Sequence, residues 1–142
     1  MNNVKTYGAP RPREPAIPAL NLDRFWKCVF AGCASASFHR PPTGIGLSSP
    51  TQTAIRAARA FTSSFDIFSS EPRPDLVDSP HEAYCLAKPG EAYALYLPGG
   101  GRVELGVDCW GSAECLWFNP EKSSFTVKEV QRVSGEVRLR AP

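Results

Sequence analysis

No run of apolar residues in this 142-residue chain approaches the roughly 18–20 needed to cross a bilayer as a helix. The opening residues, Met1 to Pro15, lack the apolar core of a secretory signal and do not form an amphipathic transit peptide. A chain that begins this way is expected in the cytoplasm, unless it is a piece of a longer protein whose start lies elsewhere. An excess of one charge is also missing. Sixteen basic and fourteen acidic residues leave a net charge of +2, too little for a nucleic-acid footprint, and no Lys/Arg stripe with interleaved aromatics occurs. Neither a nucleic-acid nor a membrane partner is expected.

Histidine is scarce, with two residues, and neither sits in a cluster. The five cysteines at 28, 33, 85, 109 and 115 are spaced C-x4-C and C-x5-C rather than in C-x2-C pairs. That is not the spacing of zinc ligands, so no metal and no cofactor is expected. Cys28, Cys85 and Cys115 lie in apolar segments, where a thiol behaves as a small hydrophobe. A Cys109–Cys115 bridge across a loop is left open by the spacing. No glycine loop opens a helix to cradle phosphate, since Gly99-Gly100-Gly101 joins two strands, and no Gly-x-Ser-x-Gly elbow serves either histidine. The acidic pairs Glu82/Glu91 and Asp75/Asp78 flank turns and a linker, where charge is ordinarily solvated. No catalytic residue is assigned.

What is present reads as a globular protein: 42% hydrophobic and 21% charged residues give no reason to expect disorder. Proline at 10, 12, 15 and 18 blocks helix and sheet alike near the start. Leu22, Phe25, Trp26, Val29 and Phe30 then recur at helical spacing, with Asn21 as a cap and Gly32 as a stop. Cys33–Phe38 has the small side chains of a short, crowded strand. Ser49 and Pro50 suit the first turn of a second helix, Thr51–Phe68, whose Ile55, Ala58, Phe61, Phe65 and Phe68 share one face. That face is expected to dock on the first helix or on the β part.

After Glu71–Asp75 the period changes from 3.6 to 2. Strands are expected at Tyr84–Ala87, Ala92–Leu97, Arg102–Val107, Glu114–Phe118, Phe125–Val130 and Val137–Arg140, as in an antiparallel sandwich. Val103, Leu105 and Val107 should face inward, with Arg102 and Glu104 outward. Trp117 and Phe118, being adjacent, must face opposite ways, and an exposed ring of the two would offer a stacking surface. The β part has about 60 residues, near the lower size for a self-supporting core. The first part cannot bury its own apolar faces and reads as the tail of a larger domain.

Two segments carry a resemblance. Phe25-Trp26-Lys27-Cys28-Val29-Phe30-Ala31-Gly32-Cys33-Ala34-Ser35-Ala36-Ser37-Phe38-His39-Arg40-Pro41 resembles the last repeat of the barrel in bacterial apiosidase-like glycoside hydrolases. Glu82–Leu86, Glu91–Gly101 and Trp117-Phe118-Asn119-Pro120 resemble the β-sandwich that follows those barrels, a module described as collagen-binding. The resemblance implies an α+β chain: residues 1–71 as the end of a truncated (β/α)8 barrel, 72–81 as a linker, and 82–142 as an antiparallel β-sandwich.

Barrel enzymes work at the C-terminal ends of their strands. By resemblance His39 and Arg40, with Asn3 nearby, become the candidate substrate-binding residues. Lys5 stands about where relatives carry an acid, which withholds one of the two carboxyls that glycoside hydrolysis needs. The expected function is therefore a non-catalytic C-terminal part of a glycoside-hydrolase-like protein whose sandwich contacts a plant-type polysaccharide. The alternative is a free-standing module for collagen-like or other extended protein ligands. Relatives of this kind are often exported. In a lone chain, self-association through an exposed apolar face is expected.

Overall fold

The computed structural model describes residues 3–6, 18–33, 35–38 and 45–142. In chain order they form strand β1 (Asn3–Thr6), helix α1 (Pro18–Phe30), strand β2 (Ser35–Phe38) and helix α2 (Ser49–Thr62). Strands β3 (Glu71–Pro72), β4 (Tyr84–Lys88), β5 (Ala92–Tyr96), β6 (Arg102–Asn119) and β7 (Ser124–Arg140) follow. The fold class is α+β. Among the described residues there are two helices and two antiparallel sheets, β3-β4-β5 and β6-β7, while β1 and β2 pair parallel to each other.

Helix α1 begins at Pro18 rather than at the Asn21 cap read from the sequence. Proline fits a first helical turn, where its missing N–H is no loss. The far end closes on Gly32, as the sequence predicts. Gly32 has a φ of 68°, the Cys33 N–H donates to the Cys28 carbonyl (3.1 Å), and the Gly32 N–H donates to the Val29 carbonyl (3.2 Å). This pairing is a Schellman motif. A Cβ at Gly32 would also lie 2.9 Å from Cγ of Pro72. Replacing Gly32 by alanine should therefore cost about 1–2 kcal/mol from the left-handed backbone, with the Pro72 contact adding to it. Gly99→Ala, where a Cβ meets nothing, should change the urea midpoint little. Equal midpoints for the two variants would contradict this account of the turn.

Helix α2 starts two residues earlier than expected, at Ser49 instead of Thr51. The Ser48 hydroxyl accepts the Thr51 N–H at 3.4 Å, and Thr51, Ala54, Ala57 and Phe61 are buried. It also stops six residues early, at Thr62 instead of Phe68. The Thr62 and Ser63 hydroxyls both donate to the Arg59 carbonyl (3.3 and 2.7 Å), and the Asp66 carboxylate accepts the Phe68 and Ser69 N–H groups (3.0 and 3.3 Å). Short polar side chains capture the backbone here and end the helix. Phe68 is consequently 93% exposed and does not join Phe61 in the core, contrary to the sequence expectation.

The sheet β3-β4-β5 lies between the helices and the β6-β7 ribbon. Its alternation assigns one face to each: Tyr84, Leu86, Ala94 and Tyr96 pack toward the helices, and Cys85, Ala87, Tyr93 and Leu95 toward the ribbon. Burial on both faces explains why Tyr84–Ala87 is an unbroken apolar run rather than an alternating one. The helix side is aromatic. Trp26 meets the rings of Phe25, Phe61, Tyr96 and Phe118 at centroid distances of 5.5, 5.7, 6.4 and 6.1 Å, while Phe25 reaches Phe38 on β2 at 5.2 Å.

The stretch expected as a linker carries structure of its own. Glu71 and Pro72 pair with Ala87 and Leu86, the Arg73 N–H donates to the Cys85 carbonyl at 2.9 Å, and Val77, 7% exposed, bridges to Leu105. The six short strands expected for 82–142 are four. The third and fourth merge into β6 and the fifth and sixth into β7. Glycines let the strands bend without ending. Gly111 and Gly135 have φ of 122° and 83°, and between the pairs Gly106↔Glu136 and Trp110↔Ser134 strand β6 carries extra residues in a bulge. Within it the Asp108 N–H donates to the Tyr93 hydroxyl (2.8 Å), which also accepts the Gly90 N–H (2.9 Å). One hydroxyl thus ties the bulge to the Pro89-Gly90 turn. Val103 and Leu105 ahead of the bulge, and Val107 at its start, are buried, as their alternation requires. Beyond it the ribbon reaches the helical side, where Phe118 joins the aromatic cluster.

Candidate functional site

His39 and Arg40, the residues that the resemblance places at a substrate, lie outside the described residues. Asn3 is described through its backbone, which pairs with Ser35 across the parallel β1-β2 ladder, as Lys5 does with Ser37. The exposed ring sought in Trp117 and Phe118 is in neither place. Both are half-buried, and Phe118 packs against Trp26, Phe61 and Phe125.

On the β6-β7 ribbon the most exposed ring is Trp110. Carrying the period of two along β6 places Trp110, Ser112, Glu114 and Leu116 on one face, and their partners on β7 are Ser134, Arg132, Val130 and Lys128. That face looks to solvent: Trp110 is 78%, Val130 72% and Leu116 44% exposed. The indole is not loose. A Cβ built on Gly135 would meet Trp110 Cζ2 at 3.9 Å, so the ring lies over the glycine, a cross-strand arrangement that shields a bare backbone. Polar groups lie along the same ribbon. Lys128 and Glu114 pair at 2.7 Å, Arg138 pairs with Glu104 further along, and Arg132 stands opposite Ser112, diagonal to Trp110. A flat apolar ring on a ribbon that also carries donors and acceptors suits a ligand with an apolar ring face and polar edges.

A second polar group lies at the seam of α1 with the sheet. Tyr96 donates its hydroxyl to one Asp23 oxygen at 3.0 Å, Lys27 pairs with the other at 2.7 Å, and the Lys27 ammonium sits 5.6 Å from the Tyr84 ring centroid. Burial, then the Asp23 charge and the hydrogen bond to it, hold the Tyr96 hydroxyl well above the ordinary tyrosine range. The hydrogen bond to Asp23 likewise raises Lys27. Both Asp23 oxygens are engaged, so the cluster clips two layers together.

Because the folded state holds the Tyr96 proton more tightly than the unfolded chain does, its contribution to stability is complete below about pH 10 and is lost as pH rises beyond that. Tyr96→Phe should lose about 1 kcal/mol near neutrality. Its melting temperature should also fall less steeply than the wild type's above about pH 10. Parallel slopes for the two proteins would contradict the clip.

All five cysteines are free thiols. Cys85 is buried, which pushes its thiol up to about 11, while Cys28 and Cys115 are half-buried rather than fully enclosed. The Cys109–Cys115 bridge left open by the sequence is not formed. Both residues lie on β6, where six residues of extension separate them by roughly 20 Å, beyond disulfide reach. Among the described residues no three His, Cys, Asp or Glu side chains come together as metal ligands, and no helix is long and apolar enough to cross a membrane. Comparison with protein-family models, curated proteins and solved structures found no match.

Proposed function

We propose that this chain is a non-catalytic binding module, the C-terminal part of a glycoside-hydrolase-like protein, and that a polysaccharide lies along the outer face of the β6-β7 ribbon. The observation that carries the reading is Trp110: a large ring held over Gly135 on one side and 78% exposed, in a row with charged side chains. A pyranose presents C–H groups on its face and hydroxyls at its edge, so the indole and the polar side chains further along the ribbon address both parts of a sugar. The parallel β1–α1–β2 arrangement supports reading the first part as the end of a (β/α)8 barrel, since parallel neighbours joined through a helix are the repeat of that architecture. The two antiparallel sheets packed through Val103, Leu105, Cys85 and Ala87 support reading the rest as a small sandwich.

A second reading rests on a different feature. Along β7 the edge away from β6 pairs with no strand among the described residues, and such an edge accepts an extended protein chain by strand addition. Affinity electrophoresis of the full chain through gels containing pectic, xylan or β-glucan polymer tests the first reading. Retention on an immobilised collagen-like peptide tests the second. Retardation by a polysaccharide is expected. Retention on the peptide without any retardation would replace the first reading by the second.

A further inference from the structure

We propose that Cys28 and Cys33 form a thiol–disulfide modification site, closing into a reversible intramolecular bridge when a low-molecular-weight disulfide is present. The Schellman motif at the end of α1 brings together the side chains three positions inside the helix and two beyond it, and in this chain both are cysteines. The Cys33 N–H to Cys28 carbonyl bond of 3.1 Å and the φ of 68° at Gly32 hold the motif closed. Both are half-buried, so a small reagent reaches them. The other thiols are set apart: Cys85 is 2% exposed inside the sheet packing, and Cys109 and Cys115 are spread along β6. The turn between the two cysteines also abuts Pro72 of β3. A bridge there would staple the end of α1 where it meets the sheet.

The chemistry balances as thiol–disulfide exchange. Cys33 loses its proton to solvent and attacks one sulfur of the added disulfide. That S–S bond breaks, and one small thiolate leaves with the electron pair and takes up a proton. Cys28 then loses its proton, attacks the Cys33 sulfur of the mixed disulfide and expels the second small thiolate, which is protonated in turn. Two protein thiols are oxidised and one small disulfide is reduced to two thiols. Burial raises the Cys28 thiol above its ordinary range, which suits it to the second, intramolecular attack better than to the first.

The test is incubation of the full chain with oxidised glutathione, alkylation of remaining thiols and mass mapping. One tryptic peptide, residues 28–56, contains both cysteines. It should appear unalkylated and lighter by two hydrogens, revert with dithiothreitol, and accompany a rise of about 5 °C in melting temperature. Cys28→Ser should trap the glutathione adduct at Cys33, and Cys33→Ser should form no bridge. Both cysteines fully alkylated after glutathione treatment would overturn the proposal. So would a stable adduct on each without closure, or a bridge that leaves the melting temperature unchanged.

Discussion

Replacing Trp26 by alanine should lower the melting temperature by roughly 10–20 °C. Trp26 is 4% exposed and is the ring at which α1, α2, β5 and β6 meet, through Phe61, Tyr96 and Phe118. Truncating a buried tryptophan removes about 3–5 kcal/mol through lost burial and the cavity left behind, a large share of the 5–15 kcal/mol that ordinarily stabilises a domain. Relaxation offers little relief, because the surrounding rings are anchored on separate elements. Near-ultraviolet circular dichroism and urea denaturation would both register the loss. A variant melting within about 2 °C of the wild type would show that the helices do not depend on this contact with the β layers.

Trp110→Ala is expected to do the reverse: little to stability and much to binding. Losing the indole over Gly135 removes a surface cross-strand contact worth under about 1 kcal/mol. If the ring is the centre of the ligand face, its truncation should cost about 2 kcal/mol or more in affinity, roughly 30-fold in Kd. Trp110→Phe should retain part of the affinity, since a smaller flat ring remains. Trp117→Phe should leave the affinity unchanged, because Trp117 is half-buried on the opposite face of the ribbon.

Much of this fold is legible from periodicity. Val103, Leu105 and Val107 announce their burial by alternation, and Phe25, Trp26 and Phe30 announce theirs by helical spacing. Gly32 marks the end of α1 because a left-handed residue is needed there. Other features rest on partners that local pattern does not contain. Pro18 opens α1 where a row of prolines reads as loop. The α2 terminus depends on hydroxyls that turn back to Arg59 and on the Asp66 carboxylate, a competition that the apolar stripe through Phe68 conceals.

The merging of strands into β6 and β7 follows from glycines that bend a strand as readily as they end one. The same glycines conceal Trp110, since Asp108–Ala113 reads as a gap between two short strands. Its signal was present all the same: continuing the phase of Arg102 and Glu104 to Trp110 and Ser112 puts a tryptophan on a polar face. The Asp23–Tyr96 bond joins residues 73 positions apart, and only the packing of α1 on the sheet reveals it.

The most direct test of the account follows the indole N–H resonances of the three tryptophans while a retarding polysaccharide is added to the full chain. The account predicts that one resonance shifts, the one missing from the Trp110→Phe spectrum, while those of Trp26 and Trp117 stay in place. Movement confined to Trp26 or Trp117, or binding with all three resonances unmoved, would contradict it.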